Sequence, residues 1–334
     1  MRNRVTITDV AREAGVSVAT VSKVINGRDG IARTTAAHVQ QVVADLGYES
    51  SLVARSLRSH RTHVIGILVA EFEPFSTEIL KGAGAALAGT PYALLAYTGG
   101  GGRPGQAGWE QRYLSRLSGT LIDGAVLVTP TVVEVDAGVP VVAVDPHAGP
   151  GGLPTVDSDN QRGAVLAVRH LLDLGHRRIG FLGGRPDLES SRLREAGYRQ
   201  ALAEAGIDVD PLLMHVAEYR RDAASAPTEA MLALADPPTA VFAANDLSAM
   251  GILDAAHRLG RRVPEDLSVV GFDDIPESAS TAPALTTVRQ EIQQLGASAV
   301  DLLLRLLEGA PVDEQHVRLP TTLVPRSSTA PPRA

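Results

Sequence analysis

The chain has 334 residues, 44% of them hydrophobic, with 38 acidic against 31 basic side chains and no cysteine. Such a length supplies two or three cores of ordinary domain size, and the lack of cysteine excludes disulfides, zinc-thiolate centres and cysteine nucleophiles. The opening MRNRVTITDV has no apolar leader core and no later apolar run reaches the roughly 18 residues of a membrane span, so a cytoplasmic protein without membrane contact is expected.

Charge is unevenly spread. Residues 1–62 hold nine basic residues (Arg2, Arg4, Arg12, Lys23, Arg28, Arg33, Arg55, Arg58, Arg61) and five acidic ones (Asp9, Glu13, Asp29, Asp45, Glu49), a local +4 that leaves −11 for the remainder. A small basic head on an acidic body is the layout expected when only one end meets nucleic acid, although a chance fluctuation of surface charge would give the same count.

From Ile7 to Leu46 apolar residues fall at helical spacing in three blocks: Ile7, Val10, Ala11 and Ala14; Val18, Val21, Val24 and Ile25; Val39, Val42, Val43 and Leu46. Thr8 and Ser17 are predicted N-caps, and Gly15 and Gly47 predicted C-caps. Helix, a turn through Gly15, Val16 and Ser17, then a second helix with small residues at the crossing is the layout of a helix-turn-helix. The second helix would offer Val18, Ala19, Ser22 and Lys23 to a groove.

After His63 short β-branched runs alternate with amphipathic stretches. The runs are HVIGILVA, YALLAY, DGAVLVT, VPVVAVD, RRIGFLGG, TAVFAAND and LSVVGFDD; the helical stretches include Thr77 to Leu87, Gly163 to Leu174, Leu193 to Ala205, Ser248 to Leu259 and Ile292 to Leu307. Runs apolar on both faces and joined by helical crossovers predict parallel strands buried in α/β sheets, too many for one sheet. HAGPGGLP, residues 147–154, is the expected crossing point between two halves.

Several motifs invite catalytic or nucleotide-binding roles. Asp273 and Asp274 are adjacent on a strand end and point apart, which suits them poorly to a shared substrate. His170 and His176 lack metal-binding spacing and are expected to be structural, so no metal is predicted. GGGRPG, residues 100–105, formally fits a dinucleotide fingerprint, but Pro104 interrupts it and Asp123 precedes its strand instead of ending one. No nucleophile elbow or Walker lysine motif is present, and neither a cofactor nor a catalytic residue is expected.

VTITDVAREAGVSVATVSKVING, followed by VVADLGY and LVARSLRS, resembles the head and hinge of the lactose-repressor (LacI/GalR) family of bacterial transcription regulators. The similarity continues in order through HLLDLGHRRIGFLGG, SRLREAGYRQALAEAGI, TAVFAANDLSAMGIL, VPEDLSVVGFDD, LTTVRQ and LPTTLVPRSST. This resemblance implies a small all-α helix-turn-helix head plus hinge helix, then an α/β periplasmic-binding-protein-like body of two parallel-sheet subdomains. The implied boundaries are 1–49 for the head, 50–61 for the hinge, 62–155 plus 287–316 for the N-terminal subdomain, 156–286 plus 317–329 for the C-terminal one, and 330–334 for a tail.

The resemblance also assigns roles. Val18, Ala19 and Lys23 would read base edges, while Thr6, Ser17, Ser22, Asn26 and Thr35 would meet phosphates. Val53, Ala54, Arg55 and Leu57 would lie in the minor groove, with Leu57 as a wedge. Ser50 and Ala32 depart from the family pattern, which commonly has proline and a capping serine there. Phe75, Arg194, Tyr219, Asn245 and Asp273 would surround an effector, a set of fixed donors, acceptors and aromatic faces suited to a mono- or oligosaccharide, although a purine or nucleoside would also stack and pair there. Taken singly, Asn245 and Asp246 could simply cap a helix, and Arg194 could be a solvated helix residue. The expected partners are operator DNA, a second copy of the chain and a small-molecule effector.

Overall fold

The computed structural model describes residues 5–25, 28–48, 61–99, 108–132, 134–311 and 315–333. The chain divides into two compact units, Met1–Thr62 and His63–Ala334.

In the first unit three helices, α1 (Ile7–Glu13), α2 (Val18–Ile25) and α3 (Arg33–Leu46), enclose Val10, Ala11, Ala14, Val21, Val24, Val39 and Val42. Thr6, and not Thr8, caps α1. Its hydroxyl accepts from the Asp9 amide (3.3 Å) and donates to the Asp9 carboxylate (2.6 Å), which in turn accepts from the Thr6 amide (2.9 Å). The reciprocal bond from a residue three positions on decides between two neighbouring threonines. Gly15, at φ +64°, lets the amide of Val16 reach back to the Ala11 carbonyl (3.0 Å), and Ser17 then caps α2 by accepting from the Thr20 amide (3.1 Å). Gly47 ends α3 in the left-handed conformation, and Ala32 begins it without a side-chain cap.

The second unit contains, among the described residues, two six-stranded sheets. Strands β1 (Val64–Val69), β2 (Ala93–Thr98), β3 (Gly124–Val128), β4 (Val141–Val144), β5 (Thr155–Ser158) and β11 (His316–Leu319) form the first, in the order β11-β5-β4-β3-β1-β2. Strands β6 (Ile179–Gly183), β7 (Met214–Val216), β8 (Ala240–Ala243), β9 (Ser268–Asp273), β10 (Thr286–Gln290) and β12 (Thr321–Val324) form the second, in the order β12-β10-β9-β8-β6-β7. All pairings are parallel except β10 with β12.

Helices cover both faces of each sheet, as strands buried on both sides require. On the first sheet these are α4 (Pro74–Ala86) and α10 (Ile292–Leu307) on one face and α5 (Trp109–Leu117) on the other. The second is covered by α6 (Asn160–Asp173) and α7 (Glu189–Glu204) against α8 (Ser225–Leu232) and α9 (Asp246–Arg258).

Each of the seven apolar runs contains a strand. The chain passes between the sheets after β5, after β10 and between β11 and β12. The Gly/Pro-rich stretch 147–154 is therefore not a crossing; it links β4 to β5 within the first sheet. In both sheets the order reverses beside the first strand, between β1 and β3 and between β6 and β8, and the carboxyl ends of strands at such a reversal form a crevice.

Candidate functional site

In the body, side chains at strand ends and helix starts converge on Arg194, which is only 3% exposed on the first turns of α7 and so is not a solvated helix residue. Its Nε donates to Asn160 Oδ1 (2.9 Å), and its Nη1 donates to the Ala244 carbonyl (2.5 Å) and lies 3.4 Å from Asp273 Oδ1. The guanidinium carbon sits 3.8 Å from the centre of the Phe272 ring and 5.4 Å from that of Tyr219. These contacts fix the plane of the fork, which a lysine would not do.

Asn245 does both things its sequence position allows. Its Oδ1 caps α9 by accepting from the Ser248 amide (2.9 Å), while its Nδ2 donates to the Tyr219 carbonyl (3.1 Å) and holds that loop against the strand ends. The Tyr219 ring lies over Gly184, just after β6, where a Cβ would come within 2.2 Å of it. Asp273, at the end of β9, accepts from Gln290 Nε2 (2.7 Å), the last residue of β10 before the chain crosses to the other lobe. Asp274 turns the other way, to Arg289 (2.7 Å) and Arg326 (2.5 Å), so the two adjacent carboxylates do not act as a pair.

Phe75 is the second residue of α4 and donates its amide to Glu73 Oε2 (3.1 Å). Its ring packs with the apolar cluster that also contains Met250 and Ile275 of the opposite lobe. Of the five expected effector residues, the structure joins Arg194, Tyr219, Asn245 and Asp273 through direct bonds and ring contacts, and places Phe75 at the lobe boundary nearby.

Sequence reading missed four neighbours: Asn160, Gln290, Glu73 and Asp145. Asp145 directly follows β4 as Asp273 closes β9, and its carboxyl interacts electrostatically with Arg194 of the other lobe. The rule that singled out Asn245 and Asp273, a polar residue ending an apolar run, applies equally to VPVVAVD. Non-glycine residues with positive φ gather at these ends: Thr129 (+47°), Asp145 (+48°), Tyr219 (+64°) and Asp273 (+117°). Such conformations cost about 1–3 kcal/mol each and collect where side chains must be aimed.

Electrostatically the crevice is an acid-rich enclosure. Burial pushes Asp273 up to about 7 against the pull of Arg194 and Gln290, with Glu73 and Asp145 pushing the same way. Burial likewise raises Glu73 and Asp145, and it raises Asp246 well above its ordinary value with Asp273 adding to the effect. Asp246 is engaged by the Ile275 amide (3.0 Å) and the Thr287 hydroxyl.

A second set of bonds ties the lobes beside the start of α7. The His147 carbonyl, in the β4–β5 loop, accepts from the Glu189 amide (2.9 Å) and Arg192 Nη2 (3.2 Å), and His147 Nδ1 stands 3.5 Å from Asp187.

In the head, Val18 (42% exposed), Ala19 and Lys23 share the outer face of α2, opposite Val21 and Val24. Ser17 is exposed at the helix start, and Ser22 and Thr35 are partly buried. The Thr6 hydroxyl already donates to Asp9. Asn26, Val53, Ala54, Arg55 and Leu57 lie outside the described residues, as does GGGRPG.

The histidines and Asp123 have structural partners. His176 bonds to Thr239 (2.8 Å), Ser268 (3.1 Å) and the Ala330 carbonyl (2.9 Å), and His170 to Thr329 (3.0 Å). Asp123 accepts from the His63 amide (2.8 Å) at the amino ends of the strands, the wrong end for a ribose. Among the described residues no group of side chains is suited to hold a metal, and no helix is long and apolar enough to cross a membrane.

Residues 6–51 match the model of bacterial regulatory proteins of the lacI family, and residues 168–329 match that of a periplasmic binding protein-like domain. The ribose operon repressor of Halalkalibacterium halodurans is 33% identical over 328 residues, 97% of each chain. Among solved structures, the lac repressor dimer bound to operator and the anti-inducer ONPF is similar with a TM-score of 0.85 at 29% identity, over 98% of this chain and 100% of that one. The complex of the regulator CelR with cellobiose is similar with a TM-score of 0.72 at 32% identity, over 97% and 100%.

Proposed function

Since the chain belongs to the lacI family of bacterial regulatory proteins, we propose that it is a ligand-responsive repressor that binds a palindromic operator as a homodimer and takes a mono- or oligosaccharide between its two lobes. It is a DNA-binding regulator and not an enzyme, as its relatives are transcriptional repressors.

The observation that carries the proposal is the presence in one chain of two unlike surfaces. One is the outer face of α2, with Val18, Ala19 and Lys23; the other is the aromatic-backed fork of Arg194 beside Asn245, Tyr219 and Asp273. Residues 1–49 serve as the head and 50–61 as the hinge, and the two sheets with their helices form the effector subdomains. Lys23 donates to a base edge, Val18 and Ala19 make apolar contacts such as to a thymine methyl, and Thr6, Ser17, Ser22, Asn26 and Thr35 meet phosphates. Val53, Ala54, Arg55 and Leu57 enter the minor groove at the operator centre.

A relative that is a ribose operon repressor and a neighbour solved with cellobiose favour a sugar in the crevice, with Phe75 contributing a further apolar face. Ligand binding alters lobe closure and thereby operator affinity; typical coupling of about 1–3 kcal/mol changes that affinity roughly 5- to 150-fold.

Selection of DNA fragments by the full chain at low salt tests the first half of this proposal. Enrichment of a palindromic site whose affinity falls steeply with salt is expected. Failure to enrich any palindrome with the dimer intact would contradict it.

A further inference from the structure

We propose that the effector carries no negative charge: the crevice selects a neutral or amine-bearing polyhydroxylated compound and excludes its phosphorylated or carboxylated analogues. This rests on the assignment of the crevice as the effector site.

The first ground is the supply of cations. Arg194 is the guanidinium at the centre of the crevice, and two of its three nitrogens are already engaged. Nε is bound to Asn160, Nη1 is shared between the Ala244 carbonyl and Asp273, and the plane is stacked on Phe272. A phosphate seeking a two-pronged bond with this fork would have to compete with the Ala244 carbonyl and Asp273 for Nη1, and a partner left unpaired in a buried setting is costly.

The second ground is the number of carboxylates. Glu73 and Asp145 come from the first lobe and Asp246 and Asp273 from the second, close enough that Glu73, Asp145 and Asp246 all interact electrostatically with Asp273. Beyond Arg194, Arg220 is held in a two-pronged bond by Asp222 (3.0 and 2.7 Å) and interacts with Glu71 and Glu218. An anion therefore meets carboxyl groups on both walls, and any of them that is ionised repels it in a low-dielectric enclosure, whereas hydroxyl or ammonium donors meet carboxyl oxygens that can accept.

The chemistry of the carboxylates points the same way. Glu73 spends its oxygens on the Phe75 and Ser76 amides and the Ser76 hydroxyl, which holds it in place at the start of α4. Asp273 is steadied by Gln290. These acids are fixed by the fold, so they cannot swing away from an incoming anion as surface acids would.

The test is titration of the full chain, by calorimetry and thermal shift, with ribose, glucose and cellobiose beside ribose 5-phosphate, glucose 6-phosphate, glucuronate and glucosamine. A neutral sugar or glucosamine is expected to bind, with the matched phosphate or uronate at least 100-fold weaker. A phosphate ester or uronate that binds as tightly as its parent would overturn the proposal.

If no sugar or sugar derivative binds, the sugar assignment fails, and inorganic phosphate then decides the charge claim on its own. Against chloride at equal ionic strength, phosphate should not raise the melting temperature of the wild type. It should raise that of Asp145→Asn/Asp273→Asn, or of Asp273→Asn alone if the double variant does not fold, and Arg194→Gln should abolish the gain. Arg194-dependent stabilisation of the wild type by phosphate would refute the claim, and so would neutralised variants as indifferent to phosphate as the wild type.

Discussion

Replacing Asp273 with asparagine removes an ionisable group while keeping the shape that Arg194 and Gln290 grip. In the folded chain this carboxyl is 6% exposed, and its burial carries it from the ordinary 3.8 up to about 7. Between those values the native state keeps a proton that the unfolded chain has released. The stability it contributes is therefore complete below pH of about 4 and is lost as the pH rises through 7. The full gap corresponds to roughly 4 kcal/mol, of which about 2–3 kcal/mol falls between pH 5 and 8. Asparagine cannot lose a proton, so urea unfolding of both proteins at pH 5 and pH 8 should show the variant gaining about 2–3 kcal/mol relative to wild type at the higher pH. A difference that stays constant with pH, or that moves in favour of the wild type as pH rises, would refute the account of the crevice as a desolvated, acid-rich enclosure.

Three further substitutions probe other parts of the chain. In Gly184→Ala the new methyl would meet the Tyr219 ring at 2.2 Å, so the ring must move; a loss of about 1–3 kcal/mol in thermal unfolding is expected, together with weaker ligand binding in titration. Arg192→Ala deletes one of the bonds to the His147 carbonyl that join the lobes, and its loss of about 0.5–1.5 kcal/mol should appear as a more open body in solution scattering without ligand; an unchanged profile would show that the bond does not hold the lobes closed. Lys23→Ala should lower affinity for the selected DNA while leaving the melting temperature of the head unchanged, because Lys23 is exposed and Val21 and Val24 carry the packing of α2.

Most strands legible in the sequence, such as VIGILV and SVVGFD, are buried on both faces, where continuous β-branched runs find their stable place; the edge strand β2 was marked by an apolar run although it is only partly buried. The five not marked by such runs, TVDS in β5, MHV in β7, TTVRQ in β10, HVRL in β11 and TTLV in β12, are short and mix polar with apolar residues. Their placement rests on long-range bonds, as when Arg318 grips Asp157 across the β5–β11 pairing (2.9 and 3.1 Å). Helix starts were legible to within a few residues, yet the choice of Thr6 over Thr8 needed the reciprocal bond from Asp9. In the crevice, Asn245 and Asp273 announce themselves by ending apolar runs. Asn160 and Gln290 do not, since their roles come from Arg194 and Asp273, 34 and 17 residues away in the chain. The positive φ of Asp145 and Tyr219 has no counterpart in residue type, and for that reason the aim of their side chains is invisible before the fold is known.

The central claim is that one chain couples a DNA-reading head to a ligand-binding body through Arg194. It is tested most directly by titrating the selected operator with the wild type and with Arg194→Lys, which keeps the charge but loses the fork, in the presence of neutral sugars and nucleosides. At least one compound should shift operator affinity of the wild type by roughly 5- to 150-fold and leave that of the variant unmoved. An operator affinity that answers to none of these compounds, or answers equally in both proteins, would contradict it.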